Sequence, residues 1–200
     1  MENIIIIDYG VGNLRSVKKA FKRAGCEVKI SANENDIIQA DKLVLPGVGH
    51  FYEGMKKLKE ANLISILNEQ VVNKKKPILG ICLGMQLMTK FSEEGNIQGL
   101  GWINAKTKKF DINLKVPHIG WNTIEWKQNS LMKGLNVKDD YYFTHSYYVI
   151  ANNEDNQILY TNYEIKFVSG FANENIYGVQ FHPEKSHNAG IALIKNFINL

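Results

Sequence analysis

The first half of the chain alternates short apolar runs with amphipathic stretches, and this alternation narrows the possible folds more than any other feature. The runs are rich in Ile, Leu and Val, while the stretches between them carry apolar residues at helical spacing, such as Leu14, Val17 and Phe21. Strands that alternate with helices form a parallel sheet covered on both faces. The predicted strands cover 4–8, 28–30, 43–45 and 78–81, and the predicted helices cover 14–24 and 51–72.

After residue 99 the pattern changes to strands separated by Asn and Gly turns, which favours antiparallel pairing. The predicted strands are 116–126, with a break at Gly120, followed by 141–150, 158–163, 166–171 and 176–181, and an amphipathic helix ends the chain. The expected fold is therefore α/β: a three-layer, open, mostly parallel sheet with helices on both faces and antiparallel additions in the C-terminal half. Because neither a repeat nor a linker interrupts the pattern, we expect one domain over residues 1–200.

The composition is that of an ordinary globular protein, with 44% apolar and 22% charged residues. A net charge of +4 without a concentrated basic stripe argues against a nucleic-acid partner. The two cysteines, Cys26 and Cys82, are too few for a disulfide framework or a Cys-only zinc site. The N-terminal residues lack the pattern of an export signal, and no run is apolar for long enough to span a membrane. We therefore expect a cytoplasmic protein.

The pentapeptide from Gly80 to Gly84 carries the clearest chemical signal. It lies between an apolar strand and a helical pattern, and its glycines stand two residues before and two after Cys82, which is the form of a nucleophile elbow. The amides at the start of a helix favour an anionic sulfur, which makes a usable nucleophile. Taken alone, the pentapeptide fits equally well with a buried cysteine behind a strand.

A cysteine nucleophile that acts on an amide needs a base and a group that orients the base. His182-Pro183-Glu184 follows the last predicted strand, and the proline keeps this segment extended, so that residues two apart project to the same side. Glu184 could then hold the His182 ring while its other nitrogen faces Cys82. Taken alone, His182 fits better with a structural histidine, and only its occurrence together with the elbow favours catalysis.

Acyl transfer also needs donors for the oxyanion. The elbow supplies the backbone N–H of Leu83, and the glycine turn 47–49 at the carboxyl end of a parallel strand could supply another, although a tight structural turn would look the same. The remaining histidines show no metal-ligand spacing, so no metal is expected; they are His50, His118, His145 and His187.

Together these motifs resemble the class I, triad-type glutamine amidotransferases. Narrower matches point to one branch of that family, the glutaminase subunit of imidazole glycerol phosphate synthase in histidine biosynthesis, and they span essentially the whole chain. They are DYG at 8–10, GNL at 12–14, LPGVG at 45–49, PHIGWN at 117–122, FTHSY at 143–147 and HPEKS at 182–186. The resemblance implies the flavodoxin-like sheet of that family.

The resemblance also implies a mechanism. Cys82 would attack the carboxamide of glutamine, His182 would protonate the departing ammonia and then activate water, and Glu184 would orient His182. The oxyanion amides would come from Val48 and Leu83. The residues that would hold the amino-acid end of glutamine are Gly49, Gln86, Glu94, Ser146 and Tyr147, with Glu93 as the alternative to Glu94 if the register is off by one.

A partner follows from the same resemblance, because this branch docks on a (β/α)₈ cyclase subunit as a heterodimer and passes ammonia to it. No cofactor is implied. The residues that match the family's interface are Asn13, Trp121, Tyr142 and Lys185, of which Trp121 and Tyr142 could instead be ordinary core residues.

Three alternatives stay open at this point. His50 stands where the branch commonly has a small residue, which fits either an exposed loop residue or a paralogous glutaminase that serves a cyclase-like synthase of amidino-sugar biosynthesis. A stand-alone cysteine hydrolase of the same architecture is a second alternative. A non-enzymatic binding protein that kept the fold is the third.

Overall fold

The computed structural model describes residues 2–127, 129–151 and 157–200 of the chain. Its strands are β1 (Ile4–Ile7), β2 (Lys29–Ser31), β3 (Lys42–Gly47), β4 (Ile78–Cys82), β5 (Thr89–Ser92), β6 (Ile97–Gln98), β7 (Ile103–Lys109), β8 (His118–Thr123), β9 (Glu125–Trp126), β10 (Asp140–His145), β11 (Tyr147–Ala151), β12 (Gln157–Tyr163), β13 (Ile165–Asn173) and β14 (Ile176–Val179). Its helices are α1 (Leu14–Arg23), α2 (Glu34–Gln39), α3 (Phe51–Glu60), α4 (Leu63–Asn68), α5 (Leu83–Leu87) and α6 (His187–Ile198), with a π-helical turn at Glu69–Asn73 and 3₁₀ turns at Ser130–Met132 and Pro183–Lys185.

Twelve strands of the described residues form one mixed sheet, with β12 and β9 paired off its main path. The main path runs β2-β1-β3-β4-β14-β13-β11-β7-β5-β6, and its first five strands are parallel. From β14 through β13 and β11 to β7 each neighbour is antiparallel. Strands β8 and β10 form a separate antiparallel pair. The predicted α/β fold, with a parallel half followed by antiparallel additions, is confirmed.

The central strands are buried on both faces because each one divides its side chains between two cores. In β1, Ile4 and Ile6 enter a core that contains Phe21 of α1 and Phe197 of α6. Ile5 and Ile7 point to the opposite side and enter a core that contains residues of α3 and α4. This two-sided burial explains why the strand is an uninterrupted apolar run rather than an alternating one.

The structure corrects the predicted helix over 51–72. It is broken at Asn62, which has a φ of +57°, so that two shorter helices and the π-helical turn replace one. Asn is one of the few residues that adopts this left-handed conformation readily. Sequence analysis also did not predict β5, β6, β7 or the short helix α2. Strand β7 alternates buried and exposed residues, but two of its buried side chains are the small residues Ala105 and Thr107, which weakened the apolar signal.

Two predicted strands of the second half have different limits in the structure. The predicted strand 141–150 is divided at Ser146 into β10 and β11, which belong to different sheets. The predicted break at Gly120 is wrong, because β8 continues through this residue with a φ of +141°. The predicted turn between 150 and 158 falls largely on residues 152–156, which lie outside the described residues.

Both cysteines are free thiols, Cys26 partly exposed and Cys82 buried. None of the helices in the described ranges is both long enough and apolar enough to cross a bilayer.

Candidate active site

Three neighbouring parallel strands bring the predicted chemical groups to one edge of the sheet. Strand β3 ends at Gly47, β4 ends at Cys82, and β14 ends at Val179, three residues before His182. Because β3, β4 and β14 are adjacent and parallel, their carboxyl ends meet. This edge is where open α/β sheets bind their ligands.

The turn at Cys82 has the geometry of a nucleophile elbow. Cys82 adopts φ +52° and ψ −109°, a conformation rarely populated by residues with a side chain. A Cβ on Gly84 would lie 1.7 Å from the carbonyl oxygen of Leu45, and one on Gly80 would lie 2.8 Å from the Cα of Met85. Both glycines are therefore required for the strand to turn so sharply into α5.

His182 and Glu184 form the pair expected from the sequence, but the predicted extended segment is wrong, because Pro183–Lys185 forms a 3₁₀ turn. The Nδ1 of His182 lies 2.8 Å from the Oε1 of Glu184, and their side chains are only 1% and 3% exposed. The backbone N–H of His182 donates to the carbonyl oxygen of Tyr142 at 2.8 Å, and the hydroxyl of Ser186 donates to the carbonyl oxygen of His182 at 2.6 Å. These two bonds hold the backbone of His182, and the contact with Glu184 holds its ring.

The charge state of His182 is set by Cys82 and Glu184. Burial acts to lower the pKa of His182, but the neighbouring Cys82 and Glu184 outweigh burial and raise it to about 10. The Nε2 of the ring makes no aligned hydrogen bond among the described residues. The imidazolium form of His182 is therefore favoured at neutral pH.

A cavity of about 280 Å³ opens in front of Cys82. This volume lies just below the roughly 300–1,000 Å³ of pockets for drug-sized ligands, which suits a ligand the size of an amino acid. The predicted nucleophile, both predicted oxyanion residues and all five predicted substrate-binding residues line it: Cys82, Val48, Leu83, Gly49, Gln86, Glu94, Ser146 and Tyr147. The wall also contains three residues that sequence analysis did not select: Pro117, Thr144 and His145. His182 and Glu184 are not part of its lining and lie behind Cys82.

Two glutamine side chains connect the cavity wall to the sulfur. The amide nitrogen of Gln86 donates both its hydrogens to protein acceptors, the carbonyl oxygen of Tyr147 at 3.0 Å and the Oε1 of Gln180 at 2.9 Å. What Gln86 can offer a ligand is therefore its own carbonyl oxygen. The Nε2 of Gln180 lies 3.7 Å from the Sγ of Cys82. Sequence analysis missed Gln180, although its position two residues before His182 places it on the same side of the chain.

The two adjacent glutamates at 93 and 94 have different surroundings. Glu94 lines the cavity, and its Oε2 accepts the backbone N–H of Phe51 at 2.8 Å. Glu93 is exposed and accepts the backbone N–H of Lys109 at 3.0 Å instead. The structure therefore places Glu94, and not its neighbour, where a ligand in the cavity can reach it.

His50 is the exposed residue that precedes α3. Its Nδ1 accepts the backbone N–H of Tyr52 at 3.2 Å, which satisfies one of the free amides at the start of the helix. Glycine or alanine could not make this bond. The structure thus gives His50 a capping role next to the cavity.

The strand end before Val48 is packed tightly against Tyr9. The buried hydroxyl of Tyr9 donates to the carbonyl oxygen of Pro46 at 2.7 Å. A Cβ on Gly47 would lie 2.5 Å from this hydroxyl and 2.9 Å from the Cβ of Leu83, so only glycine fits there. Burial, and secondarily Cys82, raise the pKa of Tyr9, which keeps it a neutral donor.

His145 of the cavity wall forms a buried pair with a second histidine, His118. The Nδ1 of His145 lies 2.8 Å from the carbonyl oxygen of Tyr147, and its Nε2 lies 3.1 Å from the Nδ1 of His118. Because a carbonyl oxygen only accepts, the Nδ1 of His145 carries the hydrogen, and the neutral ring accepts at Nε2. His118 then donates from Nδ1, and its Nε2 accepts from the amide of Asn122 at 3.4 Å.

This histidine pair is uncharged. Aromatic rings surround it: His118 stacks on Phe143 and Tyr163, and Phe167 contacts both histidines. Burial lowers the pKa of His118 to about 4 and that of His145 to about 3. The neutral pair therefore fixes the segment that divides β10 from β11, where the cavity residues Ser146 and Tyr147 lie.

Three of the four residues that match the family's interface form one surface patch. The ring of Trp121 is 47% exposed, contacts Tyr142 edge-on at 5.7 Å, and stacks on His187 at 4.7 Å. The ammonium of Lys185 lies 5.2 Å from the centre of the Tyr142 ring. Trp121 is thus a surface residue and not part of the core. Asn13 is also exposed, and its side chain caps the first turn of α1 by accepting the backbone N–H of Ser16 at 3.2 Å.

Across the described part of the chain, no group of three His, Cys, Asp or Glu side chains is arranged to hold a metal ion.

Comparison with known proteins finds a matching family and relatives that align over nearly the whole chain. The family model of the class-I glutamine amidotransferases matches residues 5–200. The imidazole glycerol phosphate synthase subunit HisH 2 of Methanococcus maripaludis is 50% identical over 198 residues, which cover 98% of each chain. The protein of the same name from Pseudomonas aeruginosa is 46% identical over 200 residues, which cover 98% of this chain and 99% of that one.

Solved structures share the fold at much lower sequence identity. A glutamine amidotransferase crystal structure aligns with a TM-score of 0.79 at 18% identity, covering 98% of this chain and 97% of the other. The PurLQS structure from Thermotoga maritima aligns with a TM-score of 0.76 at 15% identity, covering 100% and 99%. Such distant likenesses concern the fold alone. The family model and the nearly full-length relatives together show that the chain belongs to the class I glutamine amidotransferase family.

Proposed function

We propose that this chain is the glutaminase subunit of an imidazole glycerol phosphate synthase and hydrolyses glutamine to glutamate and ammonia. The observation that carries the proposal is the cavity of about 280 Å³, in which the elbow cysteine meets both oxyanion residues and all five residues selected for glutamine. The names of the relatives at 46–50% identity support the choice of synthase.

The reaction starts from the ion pair of Cys82 and His182. The sulfur attacks the side-chain carbonyl carbon of glutamine, a C–S bond forms, and the carbonyl oxygen becomes an oxyanion. His182 gives its proton to the amide nitrogen, the C–N bond breaks, and ammonia leaves a glutamyl thioester. His182 then takes a proton from water, the hydroxide attacks the thioester, and glutamate and the thiolate are released.

Glu184 keeps the Nδ1 of His182 as a donor at 2.8 Å, so that Nε2 faces the reaction. The backbone amides of Val48 and Leu83 stabilise the oxyanion. At the other end of the substrate, Glu94 binds the α-ammonium group as a counter-charge, and Ser146 and Tyr147 offer hydrogen-bond groups to the amino-acid end.

Ammonia released into bulk water would be protonated and lost to the acceptor reaction. The chain therefore acts in a heterodimer with a (β/α)₈ cyclase subunit, which takes the ammonia directly, and the patch of Trp121, Tyr142 and Lys185 with Asn13 forms part of the contact. The complex operates in the cytoplasm as part of histidine biosynthesis.

The test measures glutamate released from glutamine by the chain alone and after mixing with a histidine-pathway cyclase subunit that carries its ribonucleotide ligand. We expect a large rise on mixing. Cys82→Ala should abolish the release and leave binding to the cyclase intact, and turnover retained by this variant would overturn the assignment of the nucleophile.

The same experiment tests the choice of partner. If mixing gives no rise while a glutamine-like chloromethyl ketone still labels Cys82, the glutaminase activity stands and the histidine-pathway partner is wrong. Cleavage of peptides by the chain alone would instead favour a stand-alone hydrolase.

A further inference from the structure

Gln180 is a buried polar residue that the mechanism above does not use. Its side chain is fully buried, and it follows the last residue of β14. Phe181 points into the core, and His182, one residue further, returns to the side of Gln180. One short segment therefore presents both an amide and an imidazole to Cys82.

The orientation of the Gln180 amide follows from its neighbours. The carbonyl oxygen of Tyr147 can only accept, so the group of Gln86 that faces it at 3.0 Å is the NH₂. The same NH₂ faces Gln180 at 2.9 Å, so Gln180 must present its Oε1 there. Its Nε2 is thereby turned toward the Sγ of Cys82, 3.7 Å away. The backbone N–H of Gln180 donates to the carbonyl oxygen of Ser169 at 2.9 Å, which holds the residue in place.

Within the described residues, two groups besides His182 lie at hydrogen-bonding distance from this sulfur, and they have opposite polarity. The carbonyl oxygen of Thr144, at 4.0 Å, can accept from a thiol but repels a thiolate. The N–H of Gln180 stabilises a thiolate, because a hydrogen bond to a charged acceptor is stronger than one to a neutral group. Because Gln180 is fully buried and Cys82 is nearly so, this difference is larger than it would be in solution.

We propose that Gln180 is a catalytic residue of the glutaminase reaction, whose side-chain N–H holds the Cys82 sulfur as a thiolate before attack and again when the thioester is cleaved. Gln180 neither gains nor loses a proton in this role. The inference rests on the proposed glutaminase function for its kinetic part only, since the state of the sulfur can be measured without glutamine or a partner.

The first measurement is the rate of Cys82 alkylation by iodoacetamide as a function of pH, in a Cys26→Ser background that leaves one thiol. Gln180→Leu removes the donor at similar size. We expect the alkylation profile to move to higher pH by about one to two units, the loss expected for one hydrogen bond to a charged group.

Gln180→Glu is the sharper variant because it keeps an acceptor for Gln86 but turns a carboxylate oxygen toward the sulfur. The like charge should move the alkylation profile further upward than Gln180→Leu does. Thr107→Val is the matched control: it removes a hydrogen bond from a buried hydroxyl to the carbonyl oxygen of Phe91, of 3.3 Å, without touching the cavity or Gln180. The control should keep the wild-type profile even if its unfolding midpoint falls.

The kinetic readout uses the complex with the cyclase subunit. For Gln180→Leu we expect kcat to fall about 10- to 100-fold, the effect of about one charged hydrogen bond, with KM changed less than about threefold. Wild-type alkylation profiles in both variants would overturn the proposal, as would an equal shift in Thr107→Val. If wild-type complex releases no glutamate but the profile shifts as expected, the proposed function fails while the role of Gln180 in holding the thiolate stands.

Discussion

Two buried histidine sites of the molecule have opposite charge states. His182 is 1% exposed and its pKa is raised to about 10, whereas His118 and His145 are 3% and 6% exposed and their pKa values are lowered to about 4 and 3. Burial by itself acts to lower the pKa of all three histidines. The difference comes from the partners, because His182 faces Glu184 and Cys82 while the other two face each other, a carbonyl oxygen and aromatic rings.

The comparison shows that one molecule can contain both a buried histidine suited to proton transfer and buried histidines that stay neutral and have a structural role. A ring that is held charged between a carboxylate and a sulfur can give its proton to a leaving group. A neutral pair with lowered pKa values takes up no proton at neutral pH, and it serves to hold Tyr147 at the substrate cavity. The neighbouring groups decide whether a buried histidine is charged or neutral, and burial strengthens their effect because electrostatic interactions are stronger away from water.

The largest effect is expected from His182→Asn. The variant keeps polarity but removes the group that protonates ammonia and deprotonates water, so glutamate release should fall about 10²- to 10⁴-fold. Assays with the cyclase subunit present measure this loss. His145→Asn is the comparison variant, and a loss of similar size there would end the distinction between a reacting and a positioning histidine.

The pH dependence of the free energy of unfolding below pH 6.5 tests whether His118 and His145 are neutral in the folded protein. His118 and His145 have folded pKa values of about 4 and 3, below the 6.5 of an unfolded histidine, so the unfolded chain binds more protons below pH 6.5. Stability should fall as the pH is lowered from 6.5 toward 4, by up to about 1.4 kcal/mol per pH unit for each histidine. Urea unfolding midpoints across this range measure the slope.

The double variant His118→Gln, His145→Gln should flatten this slope, while His50→Asn, which keeps the helix cap, should not. His182 contributes with the opposite sign: its pKa is raised to about 10, so its contribution is complete below pH 6.5 and is lost as the pH rises through 10. A slope unchanged in the double variant would contradict the neutral state of the pair.

A smaller effect is expected from His145→Phe. It removes the donor to Tyr147 and leaves the Nδ1 of His118 without its acceptor, which should cost about 1–3 kcal/mol of stability. Because Tyr147 is displaced rather than the triad, KM for glutamine should rise about tenfold with kcat nearly unchanged. Steady-state kinetics at pH 7.5 separate the two constants, and a fall in kcat alone would assign this ring to the chemistry.

The smallest effect is expected from Asn122→Ala at the outer end of the pair. Its 3.4 Å contact to the Nε2 of His118 is long, so the loss should be about 0.5–1 kcal/mol or less. Nitrogen NMR of the imidazoles gives the sharper readout, with His145 keeping its hydrogen on Nδ1 in the wild type and in the variant. A change of tautomer at His145 would show that Asn122, rather than Tyr147, orders the pair.

Much of the fold followed from local patterns. The strands β1, β3 and β4 are uninterrupted apolar runs because they are buried on both faces, and such runs are visible in a single sequence. Strand β7 was not predicted because its inward face carries small and polar residues, so its burial depends on neighbours far along the chain. The predicted strand 141–150 divides at Ser146 for a similar reason. Its two halves pair with strands of different sheets, and these pairings depend on residues far along the chain.

The sequence by itself determined the elbow, because the required glycines stand within two residues of the cysteine, and it determined that His182 pairs with Glu184, although a 3₁₀ turn rather than the predicted extended segment brings them together. Only the tertiary structure decided the choice between Glu94 and Glu93, the contact of Gln180 with the sulfur, and the neutral state of His118 and His145. The physical reason is the distance along the chain over which each kind of interaction acts. Steric limits act between neighbours in the chain, whereas hydrogen-bond direction and the cost of burying charge depend on groups that folding brings together.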